Sequence, residues 1–249
     1  MIDANAYFGG WAIRTLGVNN PIEFIATMDK YKVDMAVISS LKGMIHNTKE
    51  GNNEVIELVK SHPSRFIGLC CLNPRLGVDE TLSELDRCLR SGLKGIRLYP
   101  PPHLYDLEDW ELLAPIIDIA NKKGIPIYVT IMLTYGIPFG TTSLGSLRRF
   151  VKKYPDVKII ATGLSYRDRL DVLRLLREAN NLFIELSLDS GVEAAKWYIE
   201  KVGSDRILMG TGYCLFYPSI GIEKILKARI SERDKQKILH ENAENLFFH

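Results

Sequence analysis

Residues 92–130, GLKGIRLYPPPHLYDLEDWELLAPIIDIANKKGIPIYVT, decide the fold. Gly95–Leu98 (GIRL) is a short β-branched run, and Pro100-Pro101-Pro102 ends it rigidly. Asp109–Lys122 then reads as an amphipathic helix stopped by Gly124, and Pro126–Thr130 (PIYVT) as the next strand. A strand, a helix and a second strand in that order form one right-handed unit of a parallel sheet.

The same beat extends in both directions. Upstream, strands are predicted at Met1–Ala6, Asp34–Ser39 and Phe66–Cys71. Between them stand helices at Pro21–Tyr31 (cap Asn20, proline at the first helical position), Gly51–Ser61 and Gly77–Ser91. Lys42–Asn53, the longest polar stretch, is expected to be a loop. Downstream, strands at Lys158–Ala161, Leu182–Leu186 and Arg206–Met209 alternate with helices at Ser143–Tyr154, Tyr166–Glu178 and Gly191–Val202. Helices at Ser219–Ala228 and Glu232–Leu239 end the chain, the latter opened by Ser231 and Asp234 as a capping box. Eight strands, each followed by a helix, predict one (β/α)8 barrel over residues 1–249, with an extra C-terminal helix. An open doubly wound sheet would carry a glycine-rich phosphate loop after strand 1, and Asn5–Gly10 is not one.

Composition agrees. Of 249 residues, 46% are hydrophobic, enough for a large core. A net charge of +2, from 32 basic and 30 acidic residues, argues against nucleic acid or an anionic membrane surface as partner. MIDANAYFGG lacks the basic and apolar regions of a signal peptide, and no apolar run is of bilayer length, so a cytoplasmic protein is expected. Cys70, Cys71, Cys88 and Cys214 form no C-x-x-C pair and read as reduced thiols, with Cys70 and Cys71 on opposite faces of a strand.

A barrel of this type works at the C-terminal ends of its strands. The residues placed there are Asn5 and Tyr7, Ser39 and Ser40, Cys71, Arg97 and Tyr99, Thr130, Thr162, Glu185 and Ser187, and Thr211, Tyr213 and Cys214. This rim is rich in hydroxyls and poor in imidazole and carboxylate, so no triad of nucleophile, base and acid assembles. Asn5, Tyr7, Arg97, Tyr99, Thr130, Thr162, Thr211 and Tyr213 are the candidate ligand-binding residues. Arg97 either grips a substrate carboxylate or pairs with an acid such as Glu185. Glu185 and His103 are the candidate proton-transfer residues, with His46 on a second loop and Cys214 as a nucleophile lacking a histidine partner. Arg97→Ala is expected to abolish ligand binding with little effect on folding.

Several segments resemble the amidohydrolase-related family of metal-dependent decarboxylases and lactonases. They are MIDANAYFG, RFIGLCCLNP, GLKGIRLYP, GIPIYVT, VKIIATG, DRILMGTGY and KILHENAENLF, in family order and nearly end to end. The resemblance implies a barrel fold, hydrolase or carbon–carbon lyase chemistry and homodimers. It also implies a metal held by a His-x-His pair after strand 1, histidines on strands 5 and 6, and an aspartate on strand 8. Those five positions here hold Asn5, Tyr7, Thr130, Thr162 and Gly212. Threonine and glycine offer little to zinc, so neither metal nor cofactor is expected. Three functions stay open: a non-catalytic barrel binding a small carboxylate, a metal-independent hydrolase or lyase, and a non-catalytic subunit of an active paralogue. The first two predict a concave polar pocket at the strand ends; the third predicts that side chains plug the pocket and that an apolar patch lies outside.

Overall fold

In a computed structural model, the protein is described over residues 1–10, 17–45, 47–134 and 139–248. The strands are β1 (Ile2–Gly10), β2 (Gly17–Val18), β3 (Met35–Ser40), β4 (Phe66–Leu72), β5 (Gly95–Leu98), β6 (Ile127–Thr130), β7 (Ile159–Thr162), β8 (Leu182–Glu185) and β9 (Ile207–Leu208). The helices are α1 (Pro21–Lys30), α2 (Leu41–Ile45), α3 (Thr48–Ser61), α4 (Val78–Arg90), α5 (Trp110–Lys123), α6 (Leu144–Lys153), α7 (Arg169–Glu178), α8 (Ala194–Val202), α9 (Pro218–Leu226), α10 (Glu232–Gln236) and α11 (Asn242–Phe247).

The strand order is β2-β1-β3-β4-β5-β6-β7-β8-β9. All neighbours are parallel except the short β1–β2 pair, where Gly9 faces Val18. Eight parallel strands with intervening helices therefore form a nearly closed (β/α)8 barrel. The last seam is laced by the Ala4 amide to the Met209 carbonyl at 2.8 Å and the Gly212 amide to the Asn5 carbonyl at 2.8 Å. Among the described residues no helix is long and apolar enough to cross a membrane.

Local chemistry explains the elements. Asn20 accepts from the Ile22 amide ahead of Pro21, and Ser231 from the Asp234 amide, so both predicted starts are capped. On β4, Cys70 faces the outer core and Cys71 the barrel, as alternation requires. Phe24 of α1 buries its ring against Phe66 at 5.5 Å and Tyr213 at 4.8 Å, a burial of about 2–3 kcal/mol.

Three elements differ from the sequence expectation. Strand 1 runs on to Gly10, and its register with β3 shifts between Asp3 and Ala6. This bulge lets Ile2 and Ala4 line the lower barrel while Asn5 and Tyr7 line the upper, which strict alternation forbids. The expected Lys42–Asn53 loop is helical instead. Ser40 Oγ accepts from the Lys42 and Gly43 amides at 3.1 and 3.4 Å and starts α2, whose Leu41 and Met44 point inward. Gly51 lets α3 press on α2, since a Cβ there would lie 2.3 Å from the Gly43 nitrogen. Finally, the C-terminal helix does not stop at Leu239. It passes through a π-helical stretch, Lys237–Glu241, into α11, whose Ala243, Leu246 and Phe247 close the bottom of the barrel.

Candidate functional site

On β5, Ile96 and Leu98 enter the outer core, so Arg97 must point into the barrel, in register with Cys71 of β4 and Tyr128 of β6. It is fully buried. Its Nε donates to Ser39 Oγ at 3.3 Å, Nη1 to Thr162 Oγ1 at 2.8 Å and Nη2 to Asn5 Oδ1 at 2.5 Å. The rings of Tyr7, Tyr99 and Tyr128 surround the guanidinium with centroids 5.1, 5.5 and 5.5 Å from Cζ. Arginine stays protonated in such surroundings, and the tyrosine faces favour its charge.

Its counter-charge is reached through a relay. Asn5 Nδ2 donates to Ser187 Oγ at 3.5 Å, and Ser187 Oγ donates to Glu185 Oε1 at 2.8 Å. The buried Glu185 carboxylate also accepts from the Gly163 amide at 2.9 Å and the Ser187 amide at 2.9 Å. Gly210 makes room for it, because a Cβ at 210 would lie 2.1 Å from Oε2. Three donors therefore hold Glu185 as a fixed acceptor within the fold.

The remaining candidates divide. Tyr99 shares a hydrogen bond with Ser39 Oγ at 3.2 Å, and Thr130 Oγ1 stands 3.5 Å from Thr162 Oγ1, so both join the Arg97 cluster. Thr211 does not: its hydroxyl donates to Asp3 Oδ2 in the β1–β9 seam. Tyr213 lies outside the barrel, its ring on Phe24 and its hydroxyl donating to Thr27 Oγ1 at 3.1 Å. His103 is buried beside α2, with Nδ1 3.3 Å from the Leu72 carbonyl and Nε2 3.0 Å from the Met44 carbonyl. Burial lowers its pKa, and both ring nitrogens face carbonyls rather than the Arg97 cluster. His46 lies outside the described residues. Burial pushes the Cys214 thiol up, which opposes a nucleophilic thiolate.

Sequence reading missed two residues of this centre. Asp3 accepts from the Asn5 amide at 3.1 Å and the Thr211 amide at 3.0 Å, and burial raises its pKa to about 7. Its sequence signal was its place in the Ile-Asp opening. Tyr128 is the inward residue of PIYVT, identifiable by alternation from Thr130.

Above the guanidinium the barrel is sealed. Tyr7, Leu41, Met44, Cys71, Tyr99 and Leu133 form one buried cluster, and Ile45, Phe139, Cys214 and Leu215 pack on it. Among the described residues no three His, Cys, Asp or Glu side chains converge as metal ligands do. Gly212 has φ +64°, and a Cβ there would meet Phe216 Cδ2 at 2.6 Å, so an aspartate does not fit that backbone as it stands.

Comparison with known proteins follows the same line. A family described as Amidohydrolase matches residues 12–248. No curated protein matches the chain. Among solved structures, 2,6-dihydroxybenzoate decarboxylase complexed with 2,6-dihydroxybenzoate is similar at 16% identity and TM-score 0.79, covering 99% of this chain and 98% of that one. The 5-carboxyvanillate decarboxylase of Novosphingobium aromaticivorans, complexed with manganese and 4-hydroxy-3-methoxy-5-nitrobenzoic acid, is similar at 17% identity and TM-score 0.78, covering 99% and 95%. The 4-oxalomesaconate hydratase of Rhodopseudomonas palustris follows at 16% identity and TM-score 0.77, covering 99% and 95%. At such identities the likeness is one of fold.

Proposed function

The chain belongs to the amidohydrolase family, and from that premise we propose that it is a metal-free, non-catalytic member in which the Arg97 guanidinium occupies the centre that relatives give to a metal. One observation carries this reading: of the five positions that the resemblance assigns to ligands, two hold the guanidinium. Asn5 and Thr162 accept from it, the Tyr7 ring faces it, Thr130 stands behind Thr162, and Gly212 leaves no room for a side chain. A divalent ion beside a buried guanidinium would meet like charge in a low-dielectric interior, with no cluster of His, Cys, Asp or Glu among the described residues to hold it. The residues present do not fit a metal, and the family's route to hydroxide near neutral pH has no support in this donor set.

The apolar seal also weighs against metal-independent turnover. Glu185 is engaged by three donors, and His103 offers no lone pair toward the strand ends. A general base needs a free lone pair within reach of a substrate proton; Glu185 is buried among its donors, and both His103 nitrogens are taken up by carbonyls. The test is metal content by inductively coupled plasma mass spectrometry, on protein grown with zinc and manganese and purified without chelator. Substoichiometric metal is the expected result; near-stoichiometric metal overturns the proposal.

A second reading is favoured by a different feature of Arg97. Its three hydrogen-bond acceptors are all neutral oxygens, so a small carboxylate admitted by movement of α2 would find a bidentate partner. Calorimetric titration with 2,6-dihydroxybenzoate, the ligand of one structural neighbour, separates the two. Saturable heat that vanishes in Arg97→Lys decides for the carboxylate; no heat leaves the sealed barrel as the better description.

A further inference from the structure

Two carbonyls from different elements meet on one imidazole. His103 Nδ1 stands 3.3 Å from the Leu72 carbonyl at the end of β4, and Nε2 stands 3.0 Å from the Met44 carbonyl of α2. The ring therefore joins the barrel wall to the cap over Arg97, to which Met44 and Ile45 belong. We infer that His103 is a proton-operated latch: its neutral ring holds α2 down, and its protonation releases α2 and opens the way to the Arg97 cluster. The latch acts on the cap alone, so it is independent of what Arg97 binds.

The slot suits a neutral ring. His103 is 6% exposed and forms no ion pair among the described residues. Tyr99 and Tyr105 turn their rings to it at centroid distances of 5.8 and 6.5 Å. Burial pushes both phenols up, and likewise the Cys71 thiol one residue before Leu72, so these neighbours stay uncharged. Lys49 of α3 and Glu80 of α4, opposite in charge and both exposed, line the outer cavity that the ring borders. Lys42 of α2 itself turns away to Glu54 at 2.7 Å. An imidazolium here is a buried charge with no carboxylate bonded to it. The Met44, Leu72 and Gly43 carbonyls favour the proton, but burial outweighs them and lowers the pKa from its ordinary 6.5. The sign follows by linkage. A released ring in water binds a proton more readily than the latched ring, so proton uptake favours release. Release therefore sets in as the pH falls below 6.5.

The surroundings permit the movement. His103 borders an open cavity of about 390 Å³, which Met44 and Ile45 also line. The next residue, Leu104, is held at φ +58° with its side chain 78% exposed, so the loop that carries the latch is strained in the closed form. The start of α2 is pinned separately. Ser40 Oγ accepts from the Gly43 amide at 3.4 Å, and Cys71 Sγ donates to the Gly43 carbonyl at 3.2 Å. Beyond Gly43 it is His103 that meets the Met44 carbonyl, so its withdrawal frees the end of α2 that covers the barrel.

Amide hydrogen exchange of the full-length protein tests this between about pH 7.5 and 5, with each peptide corrected by the same peptide from the unfolded chain. Protection of the α2 peptide, taken relative to an α6 peptide, is expected to fall at least about threefold toward acid. Ring 15N shifts are expected to show a neutral His103 at about pH 7 and to titrate with the same midpoint as that fall. His103→Gln, whose amide donates to one carbonyl at every pH, is expected to show no fall. His103→Asn, with its donor on the Leu72 side, takes its place if the glutamine variant does not fold. Protection that stays flat or rises toward acid in the parent overturns the inference. So does a fall that persists in a folded variant, or a midpoint that departs from the titration of the ring.

Discussion

The barrel interior has two layers of opposite character. The lower one is apolar: Ile2, Ala4, Val37, Ile67, Leu69, Ile160 and Leu208, closed beneath by Ala243 and Leu246. The upper one holds Arg97, Asn5, Thr162, Ser39, Ser187 and Glu185, joined by hydrogen bonds and covered by an apolar cap. Burial alone explains the lower layer. The upper layer stands only because nearly every charge has a partner, since a buried ion without one costs several kcal/mol. The comparison teaches that a barrel can hold a polar layer in its interior when the groups satisfy one another and an apolar cap covers them.

The largest effect is expected from removing the hub of the upper layer. Arg97→Ala leaves Asn5, Thr162 and Ser39 without their donor and a cavity among three tyrosine rings. A loss of about 3–5 kcal/mol is expected in urea denaturation, on the scale of a broken buried pair. The sequence alone suggested little effect on folding; full burial with three hydrogen bonds reverses that expectation. A loss below about 1 kcal/mol would mean that the upper layer is held for a ligand rather than for the fold.

Next in size is Asp3, which pins the upper layer to the β1–β9 seam. Its folded pKa of about 7 lies above its ordinary 3.8, raised by burial against the hydrogen bonds it accepts. The folded state therefore holds a proton that the unfolded chain releases. The stability from this group is complete below about pH 4 and is lost as pH rises through 7. Asp3→Asn keeps the acceptor for the Asn5 and Thr211 amides and removes the titration. The variant is expected to be more stable than the parent at pH 8 by a few kcal/mol, about 2–4, with the gap closing toward pH 4. Parallel stability profiles for the two proteins would show that Asp3 is ionised throughout.

The sequence told the two layers apart unequally. β-Branched runs and helix caps carry period and punctuation, so the eight strands, Asn20 and Ser231 were readable directly. The upper layer's residues were readable as a set, because alternation puts Arg97, Thr162 and Glu185 at strand ends. Their relations were not. The bulge at Ala4–Asn5 is a register fact with no residue signature, and it decides that Asn5 meets Arg97. The α2 seal hid inside a polar stretch because its lysine faces outward: Lys42 pairs with Glu54 of α3 at 2.7 Å while Leu41 and Met44 turn in. Thr211 and Tyr213 flank Gly212 in sequence, and the tight turn there sends their side chains away from the Arg97 cluster.

The smallest effect tests the boundary between the layers. Tyr128 lies there, its ring 5.5 Å below the Arg97 guanidinium and 6.3 Å from Phe247, and its buried hydroxyl has no partner among the described residues. The ring serves both layers, as an apolar wall below and a cation-facing π surface above. The hydroxyl serves neither, yet it was stripped of water on folding. Tyr128→Phe keeps the ring and deletes the desolvated group, so a gain of about 0.5–1 kcal/mol is expected in denaturant unfolding. A loss of that size instead would mean that the hydroxyl holds a hydrogen bond across the boundary, through a buried water shared with the polar layer. In that case the two layers are coupled, and the double variant Tyr128→Phe with Arg97→Ala would fall short of the sum of its parts. Additive costs would leave the apolar floor and the polar hub as separate supports that merely share a barrel.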